Sequence, residues 1–303
     1  MTMRVEVQVA GRQLELSNLD KVFYPETGFT KGGVIDYYSR IAPVLLPHLR
    51  GRPLTLKRYP NGVRGSHFYE KRCPSHRPPW VHTADIWSRH NQADIPFCLA
   101  DDLPTLVWAA NLGNLELHTS LSYARKIEQP SMLVFDLDPG PPAGLVECAR
   151  VALLLRRSFA TWGMESFVKT SGSKGMQMYV PLNVPVTYAE TKPFAKELAE
   201  TLERIHPELV VSNMRKSLRK GKVLVDWSQN DAHKTTVCVY SLRAKERPTV
   251  STPVHWDEVE RAEQDRAPEG LVFEADDVLR RTEKDGDLFA PVLTMKQSLP
   301  KLH

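Results

Sequence analysis

The order of apolar segments in the second half of the chain constrains the possible folds more than any other feature of the sequence. Short stretches rich in β-branched and other apolar residues predict strands at 133–138, 166–170, 176–182 and 222–227. Two longer stretches, 144–161 and 188–205, carry apolar side chains at helical spacing and predict helices. The resulting order β-α-β-β-α-β predicts a ferredoxin-like (RRM-like) core whose first and fourth strands are neighbours.

The flanking segments are less regular but complete an α+β prediction. Residues 3–16 alternate in polarity and predict a short hairpin around Gly11, and residues 31–47 predict a helix. A further helical stretch is expected over 104–116. Residues 235–243 predict a strand that extends the sheet of the ferredoxin-like core.

Residues 53–100 are rich in proline, glycine, aromatic and basic side chains, and they predict strands joined by exposed loops. The sequence contains no internal repeat and no low-complexity linker. We therefore expect one domain over 1–303, with an N-terminal α/β part at 1–115 and an RRM-like part at 116–303.

The composition permits nucleic acid as a partner. Apolar residues make up 42% of the 303 residues, which is enough for a core and argues against disorder. The formal net charge of +4 is mildly basic. There is no apolar run of the roughly 18 residues needed to span a membrane and no apolar signal core. We expect a soluble cytoplasmic protein without a membrane partner.

The cysteines Cys73, Cys98, Cys148 and Cys238 are widely spread and form no CxxC pair. We therefore expect reduced thiols, as in most cytoplasmic proteins. A zinc site at Cys73 would lack a complete set of four nearby ligands.

Acidic residues stand on the first and fourth predicted strands. Asp136 and Asp138 are two apart, so both side chains point to one face of their strand. Asp226 ends the fourth strand and can join them from the neighbouring position. Three carboxylates are typical of a two-metal site for phosphoryl transfer, because hard divalent cations prefer oxygen ligands. The alternative is that the acidic segment at 136–140 is only a turn at the end of a strand.

A loop of small residues lies between the second and third predicted strands. Gly172 lets the backbone approach an anion, while Ser171, Ser173 and Lys174 add donors and a charge. The P-loop spacing is absent, and an ordinary polar hairpin remains possible. Beside an acidic pair, a triphosphate-binding loop is favoured, with Arg243 on a later strand as a second phosphate contact.

Basic and aromatic residues alternate in the first half of the chain. Rings stack on bases and cations meet phosphates, so this pattern favours a template-binding segment. A solvated loop with core aromatics explains it equally well. The residues concerned are Lys57, Arg58, Phe68, Tyr69 and Lys71. A second basic run, 214–222, precedes the Asp226 strand and could follow a nucleic-acid backbone.

Several long motifs resemble one known family. They are LSNLDKVFYPETGFTKG (16–32), ELH (116–118), VFDLDPGP (134–141), KTSGSKGMQMYVPL (169–182), KVLVDWSQN (222–230) and LFAPVLTMKQSLP (288–300). Together they are similar to the polymerase domain of bacterial DNA ligase D, a member of the archaeo-eukaryotic primase superfamily. The resemblance runs from about residue 12 to 300.

The resemblance implies the primase-polymerase fold and a template-directed DNA polymerase and primase. It implies a preference for ribonucleotides, gap filling and end joining in DNA repair, and two divalent cations, with Mn²⁺ favoured over Mg²⁺. By this resemblance Asp136, Asp138 and Asp226 are metal ligands and catalytic residues. His118 matches an active-site histidine near the incoming nucleotide.

The same resemblance assigns binding roles to other positions. NTP or dNTP contacts fall on Ser171, Gly172, Ser173, Lys174, Gln177 and Arg243. The 5′-phosphate across a gapped duplex is assigned to Asn18, Lys21 and Lys31. Without the resemblance, these two lysines could be ordinary surface residues. Phe68 and Tyr69 match the segment that stacks on the template.

The sequence departs from the family pattern at one position. The family usually has His where this chain has Gln177. Glutamine cannot become cationic near phosphate, although it can still hydrogen-bond to oxygen. This puts the rate, the triphosphate contact and the metal preference in question, and not the reaction class.

The sequence ends after the polymerase-like segment, without the family's ligase or nuclease motifs. We therefore expect a free-standing, monomeric relative that works with a separate DNA ligase and a DNA-end-binding protein. Two other functions stay open. A catalytically weakened end-bridging module is supported by Gln177 alone, and a two-metal nuclease would have no need of the loop at 171–175.

Overall fold

The computed structural model describes residues 4–88 and 91–300, which form two compact units. Unit 1 combines the described residues of Met1–Ser120, Thr235–Val250 and Glu274–Asp287. Unit 2 combines those of Leu121–Lys234, Ser251–Phe273 and Leu288–His303. The single domain with a division at 115/116 stays a prediction, and Met3 of the predicted hairpin lies outside the described residues.

Unit 1 is built mainly from strands, with three helices. Its elements are β1 (Arg4–Val9), β2 (Arg12–Ser17), β3 (Val22–Tyr24), β4 (Phe29–Thr30), α1 (Lys31–Leu49), β5 (Leu54–Arg58), β6 (Phe68–Glu70), β7 (Thr83–Ser88), β8 (Ala93–Cys98), α2 (Leu103–Asn111), β9 (Asn114–Thr119), β15 (Thr236–Val237) and α6 (Ala275–Asp285). Strands β1 and β2 form the predicted hairpin. Helix α1 begins after Thr30, whose hydroxyl accepts from the Gly33 N–H at 3.1 Å.

The larger sheet of unit 1 has the order β15-β9-β5-β8-β7, with β6 paired to β5. Two predictions need correction here. Residues 235–243 were expected to extend the ferredoxin-like sheet, but only Thr236–Val237 is a strand, and it pairs with β9. Helix α2 is shorter than 104–116, because Gly113 adopts a positive φ of 75° and β9 begins directly after it.

Unit 2 contains the predicted β-α-β-β-α-β run with additions at both edges. Its elements are β10 (Met132–Pro139), α3 (Leu145–Thr161), β11 (Phe167–Thr170), β12 (Met176–Pro181), α4 (Tyr188–Ile205), β13 (Val210–Val211), β14 (Val223–Asp226), β16 (Pro253–Val254), α5 (Trp256–Gln264) and α7 (Ala290–Thr294). No helix within residues 4–88 and 91–300 is both long and apolar enough to cross a membrane.

The sheet of unit 2 has the order β13-β14-β10-β12-β11-β16. The first and fourth strands of the core, β10 and β14, are therefore neighbours, and this prediction is confirmed. Side chains alternate between the two faces of the sheet. The face of Phe135 and Leu137 packs with Ala149 and Phe159 of α3 and with Phe194 of α4 in one hydrophobic core. The opposite face of these strands carries the polar side chains described below.

The cysteines differ from the sequence-based expectation. Cys73 and Cys98 form a disulfide across a sequence separation of 25 residues, so the prediction of four reduced thiols was wrong. The backbone also joins these segments, since the Cys73 N–H donates to the Pro96 carbonyl at 2.6 Å. Cys148 and Cys238 are free and buried. The disulfide holds the segment after β6 against β8 within unit 1.

Candidate active-site residues

A row of polar side chains crosses four strands of unit 2. In the strand register, Asp136 of β10 lies opposite Asp226 of β14 on one side and opposite Gln177 of β12 on the other. Gln177 in turn lies opposite Lys169 of β11. Residues that are directly opposite in a sheet share a face, so these four side chains form one cross-strand row. Asp138, two residues after Asp136, is on the same face.

The row brings the predicted metal ligands together. Burial, followed by the nearby charges of Asp138 and Asp226, raises the pKa of Asp136 to about 7. A carboxylate in this position is stabilised in its charged form by a cation. The oxygen-rich donor set of Asp136, Asp138 and Asp226 therefore fits Mg²⁺ or Mn²⁺.

Asp226 is held by its own loop. Its Oδ1 accepts from the backbone N–H of Ser228 at 2.8 Å, and its Oδ2 accepts from Nε2 of Gln229 at 2.8 Å. In the part of the chain that the structure describes, no three acidic, histidine or cysteine side chains form a ready-made metal site. A cation bound by all three aspartates would compete with Ser228 and Gln229 for the Asp226 oxygens.

Gln177, the departure from the family pattern, has a defined partner on each side. Its Oε1 accepts from Nζ of Lys169 at 2.5 Å, and its side chain hydrogen-bonds to Asp136. Since the amide oxygen faces Lys169, the amide nitrogen is the donor to the carboxylate. Nζ of Lys169 also donates to Oγ of Ser251 at 2.6 Å. Lys169 thereby fixes which end of the Gln177 amide faces Asp136.

The predicted triphosphate loop, residues 171–175, is organised by one hydroxyl. Oγ of Ser171 accepts from the N–H groups of Ser173 and Gly175, each at 3.2 Å. These two N–H groups are therefore bonded within the loop, and the predicted anion-binding nest does not include them. Gly172 has a φ of 64°, which favours glycine. The Lys174 side chain is exposed.

Close packing places this loop against the acidic strand. A Cβ on Gly175 would lie 2.0 Å from the carbonyl oxygen of Leu137, the residue between Asp136 and Asp138. Only glycine permits this approach. The basic run at 214–222 contacts the end of strand β10, where the Gly140 N–H donates to the Lys222 carbonyl at 2.8 Å.

The predicted nucleotide contacts of unit 1 surround a buried carboxylate. Glu116 on β9 lies opposite Lys57 of β5, and its Oε2 is 3.2 Å from Nζ of Lys57 and 3.0 Å from Nε2 of His118. Its Oε1 lies 3.4 Å from Nε of Arg243. Arg243 was expected on a strand, but it lies in the loop that follows β15. We call Lys57, Glu116, His118 and Arg243 the Glu116 cluster.

The predicted template-binding residues are on β5 and β6 of unit 1. Phe68 is 44% exposed and Tyr69 is 59% exposed, so both rings are partly open to solvent. The Arg58 guanidinium lies 5.2 Å from the Phe68 ring centre, and the ammonium of Lys57 lies 5.3 Å from that of Tyr69. Lys71 is exposed just beyond β6. The structure therefore gathers these residues in one region.

The predicted 5′-phosphate residues also lie near one another in unit 1. The Lys21 N–H donates to the Asn18 carbonyl at 3.0 Å, and the Lys31 N–H donates to the Lys21 carbonyl at 2.8 Å. Lys31 is only 5% exposed, and its Nζ donates to the Ser17 carbonyl at 2.6 Å. Burial, and then the charge of Lys21, lower the pKa of Lys31 to about 8.

The sequence-based prediction missed two buried charged residues. Glu116 stands two residues before His118 on a strand, and that spacing is the only signal that would have paired them. Lys169 stands at the end of a predicted strand, where a lysine normally reaches solvent. Its burial follows from the cross-strand neighbours Gln177 and Pro253, which only the register reveals.

Comparison with known proteins gives a consistent family assignment. A family model described as LigD, primase-polymerase domain matches residues 30–289. The multifunctional non-homologous end joining protein LigD of Mycolicibacterium smegmatis is 40% identical over 282 residues, covering 92% of this chain and 36% of the relative. The bifunctional non-homologous end joining protein LigD of Bacillus subtilis is 32% identical over 275 residues, covering 90% of this chain and 43% of the relative. The chain thus spans less than half the length of these curated relatives.

A solved structure extends the similarity to the fold. The polymerase domain of Mycobacterium tuberculosis ligase D in complex with DNA superposes with a TM-score of 0.86 at 38% identity, covering 94% of this chain and 99% of that one. The predicted primase-polymerase fold is therefore confirmed. With matching sequence, family model and fold, the chain belongs to the LigD primase-polymerase family, whose curated relatives are non-homologous end joining DNA repair proteins.

Proposed function

We propose that this chain is a template-directed nucleotidyltransferase, a DNA polymerase and primase that fills short gaps and ends during DNA repair. The observation that carries the proposal is the register of β10 and β14, in which Asp136 lies opposite Asp226 and Asp138 follows on the same face. Packing of Gly175 against Leu137 supports it further, because a candidate triphosphate loop then adjoins the carboxylates. A two-metal nuclease would need the carboxylates but not this loop.

The proposed division of labour follows from the chemistry of each group. Asp136, Asp138 and Asp226 would hold two divalent cations, Mn²⁺ or Mg²⁺. Such cations lower the pKa of an attacking 3′-hydroxyl and neutralise charge on a triphosphate. Ser171 shapes the 171–175 loop, and Lys174 offers a cation to the phosphates. By the family resemblance, His118 and Arg243 are further nucleotide contacts.

The proposed DNA contacts lie in unit 1. Exposed rings at Phe68 and Tyr69, with cations beside them, suit stacking on template bases. Asn18, Lys21 and Lys31 would bind the 5′-phosphate of a gapped duplex. We propose that the protein prefers ribonucleotides and acts in the nucleoid as a monomer, together with a separate DNA ligase and a DNA-end-binding protein.

Gap filling provides the direct test. Purified protein with Mn²⁺ should extend the primer of a gapped duplex, more with ribonucleotides than with deoxyribonucleotides, and more when the gap carries a 5′-phosphate. No extension on any gapped or primed substrate would overturn the proposed activity.

A matched pair of variants then tests the carboxylates. Asp226→Asn should reduce extension by about 10³-fold or more, because a positioned ligand is lost from the reacting centre, while DNA binding is kept. The control is Asp231→Asn in the following loop, where the carboxylate pairs with Lys192 at 2.6 Å and has no proposed role. Equal activity of both variants would remove the two-metal assignment.

The second candidate is an end-bridging module without catalysis. It predicts DNA binding without nucleotide transfer and without binding of Mn²⁺ plus ATP. Calorimetry with Mn²⁺ and ATP separates the two functions, because the polymerase proposal requires that they bind together.

A further inference from the structure

The carboxylate of Glu116 has contacts at both oxygens, all within unit 1. Oε2 lies 3.2 Å from Nζ of Lys57 and 3.0 Å from Nε2 of His118. Oε1 accepts from the backbone N–H of Ala244 at 3.1 Å and lies 3.4 Å from Nε of Arg243. Glu116 is only 1% exposed, so water cannot take over these contacts.

The charges of the Glu116 cluster determine its protonation. Burial alone would raise the pKa of Glu116, but the hydrogen bond from His118 and the charges of Arg243 and Lys57 lower it well below its usual range. The carboxylate is therefore ionised and can only accept hydrogen bonds. Burial lowers the pKa of His118, and the charges of Arg243 and Lys57 lower it further. Glu116 acts in the opposite direction, but the pKa remains below its usual value, which favours a neutral imidazole.

A neutral imidazole carries one proton, and its position is fixed here. Since Glu116 accepts from Nε2 of His118, the proton is on Nε2. Nδ1 is then the acceptor of the ring. Without the carboxylate, either nitrogen could carry the proton, and the ring could present a donor where it now presents an acceptor.

We propose that Glu116 is a positioning residue for nucleotide transfer: its carboxylate fixes the tautomer of His118 and holds the cations of Lys57 and Arg243 together. The inference rests on the proposed function, which gives His118 and Arg243 their nucleotide-binding role. Glu116 itself does not contact the nucleotide and acts only through His118, Lys57 and Arg243.

The cluster also connects the predicted nucleotide and template contacts. Glu116, Lys57 and Tyr69 are consecutive neighbours across β9, β5 and β6. The Tyr69 ring meets the His118 ring edge to face at 5.7 Å. Glu116 therefore sets the position of Lys57, and through it the environment of an exposed ring that is proposed to stack on the template.

Glu116→Gln is the sharpest test, because it keeps the shape and removes the charge. Every group around the two oxygens is a donor, so the new amide NH₂ must face a donor on one side. We expect the KM for ATP in gap filling to rise about tenfold or more, with a smaller change in kcat. The reason is that Lys57, Arg243 and His118 would no longer be held in position to bind the nucleotide. In ¹⁵N-edited NMR spectra recorded without metal, His118 should show the Nε2–H tautomer in the wild type and a mixture in the variant.

The chain offers a matched control in the same unit. His48 and Asp287 form a second, partly buried pair, with Nε2 of His48 2.8 Å from Oδ2 of Asp287. Asp287→Asn should lower stability but leave the KM for ATP and the His118 tautomer unchanged. If Glu116→Gln behaves like this control, Glu116 has a structural role only and the inference is overturned.

Two further measurements keep the outcome decisive. Glu116→Asp retains the charge one methylene further back, so it should restore the Nε2–H tautomer and part of the ATP affinity even if Glu116→Gln is too unstable to purify. Loss of the tautomer in Glu116→Asp with intact folding would contradict the inference. A wild type that transfers no nucleotide overturns the proposed function instead, since the NMR tautomer and calorimetric ATP binding are read without catalysis.

Discussion

At the scale of single residues, Lys169 shows how a neighbour can define a functional side chain. It is fully buried, and its ammonium has the oxygens of Gln177 and Ser251 as partners. A buried ammonium without partners would be costly, so Lys169 and the Gln177 oxygen stabilise each other. The amide nitrogen of Gln177 is thereby directed to Asp136.

Lys169→Met should therefore weaken metal binding. With the cation removed, the Gln177 amide can turn its oxygen toward the carboxylate, where the two acceptors repel. We expect Mn²⁺ affinity, measured by calorimetry without DNA or nucleotide, to fall about tenfold, as when a supporting partner of a metal ligand is lost. Lys192→Met, which removes a half-buried lysine paired with Asp231, should bind Mn²⁺ as the wild type does. Unchanged affinity in a folded Lys169→Met protein would refute this role.

The pKa of Lys31 predicts a pH-dependent preference for phosphate. Because its folded-state pKa is lowered from 10.5 to about 8, the ammonium loses its proton as the pH rises through 8. The preference for a 5′-phosphorylated over an unphosphorylated gap, measured by fluorescence anisotropy, should therefore decrease between about pH 7 and 9. Lys31→Met should show a small preference at both pH values. A preference in the wild type that is constant with pH would argue against a phosphate role for Lys31.

The same shift has a consequence for stability, with the opposite sign. Between about 8 and 10.5 the folded protein binds fewer protons at Lys31 than the unfolded chain does. The contribution of this group to the free energy of unfolding therefore rises with pH in that window. Titration of Lys31 would thus weaken phosphate binding at high pH without lowering the free energy of unfolding.

At the scale of elements, the 171–175 loop depends on a missing side chain. Gly175→Ala would place a Cβ 2.0 Å from the Leu137 oxygen, so the loop must move away from β10. We expect a loss of about 1–3 kcal/mol in the free energy of unfolding, and weaker ATP binding. Gly270→Ala, where an added Cβ meets nothing within 4 Å, should change stability by less than about 0.5 kcal/mol. Denaturant unfolding of both variants checks this, and equal stabilities would contradict it.

The elements also show what the sequence could predict. The β-α-β-β-α-β order restricts the connections so strongly that the adjacency of β10 and β14 followed from spacing alone. The segment 235–243 was assigned to the wrong sheet. Only two of its residues form a strand, and a local sequence pattern does not show with which distant strand they pair. The Cys73–Cys98 disulfide has no spacing motif, so nothing in the sequence indicated it.

The candidate residues were predictable to a different extent. Asp136, Asp138 and Asp226 follow from acidic residues on strands that the topology makes neighbours, and the register then places Asp136 opposite Asp226. Glu116 and Lys169 were missed, because a charged residue on a short strand is usually exposed and burial depends on packing partners. The roles of all these residues stay predictions until variants are measured.

At the scale of the whole molecule, unit 2 is assembled from separate parts of the chain. Its hydrophobic core includes Val254, Val259, Ala262 and Leu271, which come after the unit 1 segment Thr235–Val250. Strand β16, which belongs to this later part of the chain, also pairs with β11. The ferredoxin-like run alone is therefore not a complete folding unit.

We expect the fragment 121–234 not to fold cooperatively. Each lost valine or leucine contributes about 1.5–3 kcal/mol, so the total is comparable with the roughly 5–15 kcal/mol that stabilises a domain. Joining 121–234 to 251–273 through a flexible linker should restore a cooperative transition, followed by circular dichroism in urea. A sharp transition of the shorter fragment would show that the later segment is dispensable.

The cross-strand row also limits how unit 2 can change in evolution or design. Side chains alternate along each strand, so one inserted residue before Gln177 in β12 would turn that amide toward the helices and bring a methionine toward Asp136. Length changes within β10, β11, β12 or β14 are therefore far less tolerable than substitutions at the same positions. Variants with altered chemistry should be sought by exchanging side chains, with strand lengths kept constant.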